Sequence, residues 1–325
     1  MKRTLARIVL GIVGMLLLVF SGMVAFVELR WDARYDAPLP DIHASRDSAV
    51  IAQGRYLVLG PAHCSYCHTT PGNWQAIDAG KEVPLSGGNS FKLPLGTIYT
   101  PNLTPDVETG IGRYTDGQLA RMIRHGVTPD GRAAVPFMAF QNLSDEDVTA
   151  VISYLRAQPA VRNDVPEHDL NVLGRAVMAF LIRPIGPEGT PPAASPAAGP
   201  TVERGKYLAN SVGECSMCHT RRSPVDGSAV GPLFSGGAEM AFDDDPSRVF
   251  VTPNLTPDPK TGHITSWTEE QFLARFRAGR LIEGSHMPWP LFGRMSDDDI
   301  RAVYRYLRTL EPVENETGPL VQEKS

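Results

Sequence analysis

The 325-residue sequence is poor in cysteine and lacks an excess of basic charge. It has only four cysteines, and its 31 lysines and arginines stand against 36 aspartates and glutamates. Without residues 1–30, the chain has 27 basic and 35 acidic residues, a formal net charge of −8. An acidic surface argues against binding to nucleic acid or to anionic membrane surfaces, and it is compatible with a basic partner or simply with solubility. The chain also lacks a glycine-rich nucleotide-binding loop in a strand–helix context and a plausible catalytic triad.

Charge is also absent from one long segment near the N-terminus. The 20 residues from Ile8 to Val27 carry no charged side chain and follow the basic residues Lys2, Arg3 and Arg7. A helix of this length spans a hydrocarbon core of about 30 Å. The pattern predicts an uncleaved anchor at residues 1–30 in the inner membrane, with the rest of the chain on the periplasmic side. The alternative is a cleaved signal peptide, although such peptides usually have an apolar core of about 7 to 15 residues.

The most informative pattern is an internal repeat with an offset of about 151 residues. Five blocks recur in the same order, at 53–57 and 204–208, 64–68 and 215–219, 86–88 and 235–237, 100–106 and 252–258, and 142–148 and 294–300. Two domains of the same fold are therefore predicted at 47–160 (the first unit) and 200–313 (the second unit). A Pro- and Ala-rich linker at 161–199 joins them, and a frayed tail is expected at 314–325.

Each unit is predicted to be helical. One helix leads into the block at 64–68 or 215–219, a long loop follows, and two more helices complete the unit. The last helix is the clearest, because Ser144 can cap it and apolar residues then follow at i, i+3, i+4 and i+7. The sequence thus favours an all-α fold, with two tandem domains preceded by one transmembrane helix. A short apolar segment, Val172 to Ile182, is expected to form a helix that packs on a domain or rests at a membrane surface, and packing is favoured.

The block at 64–68 contains a Cys-x-x-Cys-His motif, and its copy contains a second. Two thiols at this spacing can form thioethers with the two vinyl groups of a haem, and the following imidazole can bind the iron. We predict two covalently attached haem c groups, bound through the cysteines, with the histidines as proximal iron ligands and each imidazole hydrogen-bonded to a backbone carbonyl. The residues are Cys64, Cys67 and His68 in the first unit and Cys215, Cys218 and His219 in the second. A four-cysteine zinc site leaves the histidines unexplained, and neither it nor two redox-active disulfides explains a repeated domain.

The sixth iron ligand decides whether a haem transfers electrons or binds a substrate. In the second unit Met287 lies on a Met-Pro loop and is the predicted distal ligand, whereas Met295 lies beside a helix cap and is expected to pack in the core. In the first unit Val135 aligns with Met287, and Met138 is the only methionine on the loop. Met138 is the favoured ligand there, and the alternatives are His125 or an open site.

The block Thr-Pro-Asn-Leu-Thr-Pro-Asp occurs unchanged at 100–106 and 252–258. Its asparagine and threonine side chains can donate hydrogen bonds to haem propionates, while the prolines fix the backbone. The same side chains can instead stabilise a turn. Both interpretations are open at this point.

Both units resemble class I cytochrome c domains, through the early Cys-x-x-Cys-His motif, the Met-Pro loop and a last helix ending in Tyr-Leu-Arg. The tandem layout is similar to that of the membrane-bound cytochrome c subunits of bacterial periplasmic alcohol, gluconate and aldehyde dehydrogenases. Those subunits commonly carry three haem motifs, and this chain has two. The resemblance implies single-electron transfer between a periplasmic dehydrogenase and the respiratory chain, most simply without catalysis by the chain itself. The alternative is a dihaem peroxidase or other small-molecule oxidoreductase that uses an open first haem.

Overall fold

The computed structural model describes residues 2–223, 227–242, 245, 247–282 and 284–324. The helices are α1 Lys2–Arg30, α2 Ser48–Leu59, α3 Cys64–Cys67, α4 Trp74–Asp78, α5 Asp116–His125, α6 Asp145–Ala157, α7 Val172–Phe180, α8 Val202–Tyr207, α9 Cys215–Cys218, α10 Glu269–Arg277, α11 Trp289–Phe292 and α12 Asp297–Leu307. The strands are β1 Ser90–Leu93, β2 Gly96–Tyr99, β3 Asp169–Leu170, β4 Glu239–Ala241, β5 Arg248–Val251 and β6 Val321–Glu323.

Helix α1 is the one helix of the described residues that is long and apolar enough to cross a membrane. It has 29 residues, and its most apolar window has a mean hydropathy of 2.6 and no buried residue. At 1.5 Å per residue it is about 43 Å long, more than the thickness of a hydrocarbon core. This supports membrane anchoring by α1.

The core of each unit is built on a close crossing of its first and last long helices. A Cβ placed on Gly54 of α2 would lie 1.8 Å from the carbonyl oxygen of Ala150 in α6, and one on Gly205 of α8 would lie 1.8 Å from that of Ala302 in α12. Only glycine permits two backbones to approach so closely. The predicted cap is confirmed, because the side chain of Ser144 accepts a hydrogen bond from the third amide of α6.

The helical character is confirmed, but an all-α description omits two small sheets. Strands β1, β2 and β3 form one antiparallel sheet in that order, and β4, β5 and β6 form the other. Each sheet is a hairpin whose open edge binds a third, distant strand. Strand β3 comes from the expected linker, and β6 comes from the tail at 314–325. The prediction of a frayed tail is therefore wrong for residues 321–323, because pairing with β5 satisfies their backbone groups.

The two units contact each other through a reciprocal pair of tyrosines. The hydroxyl of Tyr56 in the first unit donates to Asp299 at 2.6 Å, and that of Tyr207 in the second unit donates to Asp147 at 2.6 Å. Each tyrosine oxygen also accepts the amide of the serine that caps the other unit's last helix, at 3.1 Å from Ser296 and 3.0 Å from Ser144. Each unit therefore supplies a hydrogen-bond acceptor at the N-terminus of the other unit's last helix.

The two aspartates in this exchange differ in their remaining partners. Both oxygens of Asp299 accept from the guanidinium of Arg204, at 2.9 and 3.0 Å. The repeat places Gln53 where Arg204 stands, and its amide is 3.4 Å from Asp147. Burial raises the pKa of Asp147, and the hydrogen bonds from Tyr207 and Gln53 offset part of that rise. Within the described part of the chain, Asp147 is thus a buried carboxyl without a cationic hydrogen-bond partner.

Candidate haem-binding sites

Each predicted haem-attachment motif forms a single helical turn. The turns are α3 and α9, and the four cysteines in them are unpaired. The residues that precede them, His63 and Glu214, adopt left-handed conformations with φ of 41° and 52°, which is uncommon for residues with a side chain. Because cysteines three residues apart lie on the same side of a helical turn, both thiols of each motif are available to one haem.

The structure gives the two predicted proximal histidines the same hydrogen bond. Nδ1 of His68 is 3.1 Å from the carbonyl oxygen of Pro101, and Nδ1 of His219 is 3.2 Å from that of Pro253. The bond makes Nδ1 the protonated nitrogen and leaves Nε2 as the nitrogen that can bind iron. Both carbonyls belong to the repeated block at 100–106 and 252–258. This arrangement fits a haem iron on the Nε2 side of each ring.

Two repeated features bring the proline carbonyls to the histidines. A Cβ on Gly87 would lie 2.5 Å from the carbonyl carbon of Pro101, and one on Gly236 would lie 2.5 Å from that of Pro253. Because these glycines have no side chain, the Ser-Gly-Gly block leaves room for the proline carbonyl. The side-chain amides of Asn102 and Asn254 each donate to a backbone carbonyl at 2.8 Å. The turn interpretation has its own contacts, because Oδ1 of Asn102 and of Asn254 accepts the amide of Thr104 and of Thr256, at 2.9 and 3.0 Å. The block orients the histidines through its backbone, and a contact of its side chains with haem propionates stays a prediction.

Burial keeps the thiols and imidazoles of both motifs neutral. It is the main cause that raises the pKa of Cys64 and of Cys215 to about 12 and that of Cys67 to about 11. It also lowers the pKa of His68, and it lowers that of His219 to about 4, although the proline carbonyl opposes the shift. A neutral imidazole is the form that binds a metal. Within the described residues no group of three or more His, Cys, Asp or Glu side chains is arranged around a possible metal ion, which argues against the four-cysteine zinc site.

The predicted distal residue of the second unit lies on a loop fixed at both ends. Met287 is half-buried and packs against the same hydrophobic core as Cys215, and its carbonyl accepts the amide of Trp289 at 2.7 Å. Met295 is buried in that core, as expected for a packing role. Arg277 donates to the carbonyls of Gly293 and Met295, at 2.6 and 2.8 Å, and to the carboxylate at the start of α12. The loop between Met287 and α12 is therefore held to α10.

The first unit has the same arginine arrangement on a different loop. Arg124 is buried and donates to the carbonyls of Gln141 and Leu143 and, at 2.7 Å, to Asp145. Met138 is half-buried against the core that also contacts Cys64, whereas His125 lies beside Gly186 of the linker. These contacts do not show which of the two residues faces a haem, so Met138 as the distal ligand stays a prediction. Arg124 and Arg277 were missed in the sequence, although their common place at the end of the middle helix was a usable signal.

The two motifs face each other across the contact between the units. The ring of His63 stacks edge-on against Phe292 of the second unit, with centroids 5.5 Å apart. Glu214 is buried, its Oε1 has no hydrogen-bond partner among the residues that the structure describes, and burial raises its pKa to about 7. The charge of Glu214 raises the pKa of Cys64 and Cys67 as well as that of Cys215, which places it between the two motifs.

No family model matches the chain. The chain is 31% identical over 290 residues to the cytochrome c subunit of the quinone alcohol dehydrogenase of Gluconobacter oxydans, covering 82% of this chain and 56% of that subunit. It is 31% identical over 299 residues to the gluconate 2-dehydrogenase cytochrome c subunit of Pantoea cypripedii, covering 84% and 62%. A dihaem cytochrome c of Cereibacter sphaeroides is 28% identical over 273 residues, covering 77% and 83%. The chain thus spans less than two thirds of the length of these dehydrogenase subunits.

Relatives that are cytochromes by name align with most of the chain, and the chain contains the motif to which their cofactor attaches. Such proteins carry covalently bound haem c. Over most of its length the chain is similar to c-type cytochromes.

Proposed function

We propose that the protein is a two-haem electron carrier, anchored in the inner membrane by α1, that passes single electrons from a periplasmic dehydrogenase to the respiratory chain. The observation that carries this proposal is the occurrence, in both units, of a cysteine pair on one turn followed by a histidine whose Nδ1 is held by a proline carbonyl. Dehydrogenase cytochrome subunits among the relatives support the nature of the electron donor. The units at 47–160 and 200–313 are the proposed haem domains.

Two sets of residues would act on each haem: one set would hold it, and the other would close its iron to substrates. Bound haem c supplies a reversible one-electron centre. Cys64 and Cys67, or Cys215 and Cys218, would hold the porphyrin through thioether bonds, and His68 or His219 would bind the iron through Nε2. Met287 in the second unit and Met138 in the first would supply the thioether ligands of the iron. A thioether ligand raises the reduction potential and leaves no open position for a substrate, so the chain conducts electrons without catalysing a reaction.

The contact between the units supports a single conduction path. Cys64 and Cys67 lie close enough to Glu214 for its charge to affect them, although Glu214 belongs to the other unit. A haem at each motif would therefore lie next to the contact between the units. Electrons would enter at one haem and leave at the other.

A second function is favoured by one specific observation in the first unit. Val135 stands where the repeat places Met287, so Met138 reaches the haem only if the loop follows a different path from that of the second unit. If Met138 does not bind the iron, the first haem is open to a small molecule such as a peroxide. The two functions are distinguished by that one ligand.

The test is spectroscopy of the full-length protein with its haems attached. A haem-content assay should give two haems per chain, and Cys64→Ser with Cys67→Ser, or Cys215→Ser with Cys218→Ser, should each remove one. In the ferric state Met138→Ala and Met287→Ala should each remove the Met-to-iron charge-transfer band of one haem. If Met138→Ala leaves the spectrum unchanged and the unmodified ferrous protein binds carbon monoxide at one haem, the pure-carrier function is wrong.

A further inference from the structure

Helix α7 has an unusual distribution of apolar side chains. Its buried residues are the small ones, Gly174 and Ala179, and a Cβ on Gly174 would lie 2.1 Å from the carbonyl oxygen of Leu95. Five large apolar residues of α7 and the segment after it are exposed, with 47 to 82% of their surface accessible, and they are Val172, Leu173, Phe180, Leu181 and Ile185. Val177, Met178 and Ile182 are half-buried. A surface helix of a water-soluble domain usually shows the opposite pattern.

The end of α7 is attached directly to the end of the anchor. The ring of Phe180 stacks on that of Phe26 with centroids 5.0 Å apart. Arg175 forms an ion pair with Glu28 at 3.2 Å, and its guanidinium lies 5.2 Å from the ring centroid of Trp31. These contacts fix α7 against the last turns of α1.

The position of Phe26 along α1 sets the depth of this contact. Phe26 is near the end of the charge-free run from Ile8 to Val27, which is about as long as a hydrocarbon core is thick. Glu28 and Trp31 follow at the level expected for the headgroups, where tryptophan is preferred. Phe180, which stacks on Phe26, lies at the same level. When α1 crosses the bilayer, the C-terminal end of α7 is therefore at the membrane surface.

We propose that α7 and residues 181–185 form a second membrane contact, a lipid-seated helix that holds the first unit at a fixed angle to the bilayer. This inference rests on the membrane anchoring in the proposed function. Its partner is the lipid bilayer around α1, because the apolar surface is continuous with that of the anchor. Arg183 binds the carbonyls at the C-terminus of α7, at 3.1 Å from Ala179, and its charge at that level matches phosphate headgroups.

The test uses nitroxide labels on single introduced cysteines of the full-length, haem-loaded protein in phosphatidylcholine vesicles. The native cysteines are consumed by thioethers, so Leu173→Cys and Leu181→Cys each give one reactive thiol. Val107→Cys, at a residue 68% exposed, is the matched control on the first unit, and Leu18→Cys, at a residue 76% exposed, reports on the anchor. Collisions of each label with lipid-soluble oxygen and with a water-soluble nickel chelate are measured by power saturation.

The label at 181, next to Phe180 at the level of Phe26, should show an oxygen-to-nickel collision ratio several-fold higher than the label at 107, and the label at 173, near Arg175 at the headgroup level, should show a smaller increase. A ratio at 181 equal to that at 107, with a high ratio retained at 18, would overturn the inference and leave the anchor intact. A low ratio at 18 would refute the anchoring itself, and the inference with it. Haem absorbance measured on the same samples shows that each variant is folded and loaded.

Discussion

The reciprocal tyrosines predict two unequal losses of stability from the same chemical change. Tyr207→Phe removes the donor to Asp147 and the acceptor of the Ser144 amide, and these three residues are all buried. Loss of a hydrogen bond to a charged group costs about 1.5 to 3 kcal/mol, and an unpaired buried amide adds about 1 to 3 kcal/mol. The free energy of unfolding should therefore fall by about 3 to 4 kcal/mol.

Tyr56→Phe removes the corresponding hydroxyl, but the two groups that it bonds keep other hydrogen-bond partners. Asp299 keeps both hydrogen bonds from Arg204, and the amide of Ser296 belongs to an exposed residue that water can reach. The carboxylate of Asp299 therefore stays paired, and the amide of Ser296 stays solvated. The expected loss is about 1 kcal/mol.

The assay is urea unfolding of the full-length haem-loaded protein in detergent, followed by far-ultraviolet circular dichroism. The two variants serve as controls for each other, because each loses one oxygen atom from the same kind of contact. Equal losses would refute the argument that the Arg204 pair protects Asp299. A loss below about 0.5 kcal/mol in both would show that the contact between the units contributes little to stability.

Three further outcomes follow from the same contacts. Gln53→Arg should raise the free energy of unfolding by about 1 kcal/mol, since it gives Asp147 the cationic partner that the second unit already has; no gain in urea unfolding would contradict this. The pKa of Asp147 is raised in the folded state, so the native protein binds more protons than the unfolded chain above the ordinary aspartate pKa. The free energy of unfolding should therefore decline as pH rises through that window, and an equally large decline in Asp147→Asn would contradict this. Gly54→Ala and Gly205→Ala should each lower the free energy of unfolding, measured by thermal denaturation, by about 3 kcal/mol, because the added methyl meets a backbone oxygen. Gly117→Ala is the control: its Cβ would lie 3.5 Å from the nearest atom, and it should raise the free energy of unfolding by about 0.5 kcal/mol.

Local signals in the sequence predicted α1, α7 and the three longer helices of each unit but not the short helices α4 and α11, and they made the attachment motifs visible. The cap at Ser144 and the apolar spacing after it are local, and the structure has α6 at 145–157 as expected. The strands could not be predicted in this way, because β3 and β6 are two- and three-residue segments that are stable only when paired with distant hairpins. The linker, which the sequence predicted to be only a spacer, also makes a long-range contact. The backbone carbonyls of Pro192 and Ala193 accept the first amides of α6.

The site shows the same division between local and long-range signals. Cys64, Cys67 and His68 are contiguous, so their common chemistry is visible in the sequence. The carbonyl of Pro101, which holds His68, is 33 residues away, and only the unchanged repeat of its block hinted at a role. The place of Glu214 between the two motifs depends on the packing of the units, for which one sequence contains no local signal.

The crossing of α2 and α6 at Gly54 and Ala150 also sets an order of events in time. The attachment motif at 64–68 follows α2 directly, while α6 lies about 80 residues further along the chain. Under the proposed export, α2 and the first pair of thiols would emerge well before α6, the helix that packs on α2. The proposed haem attachment would then have time to occur before the core of the first unit is complete.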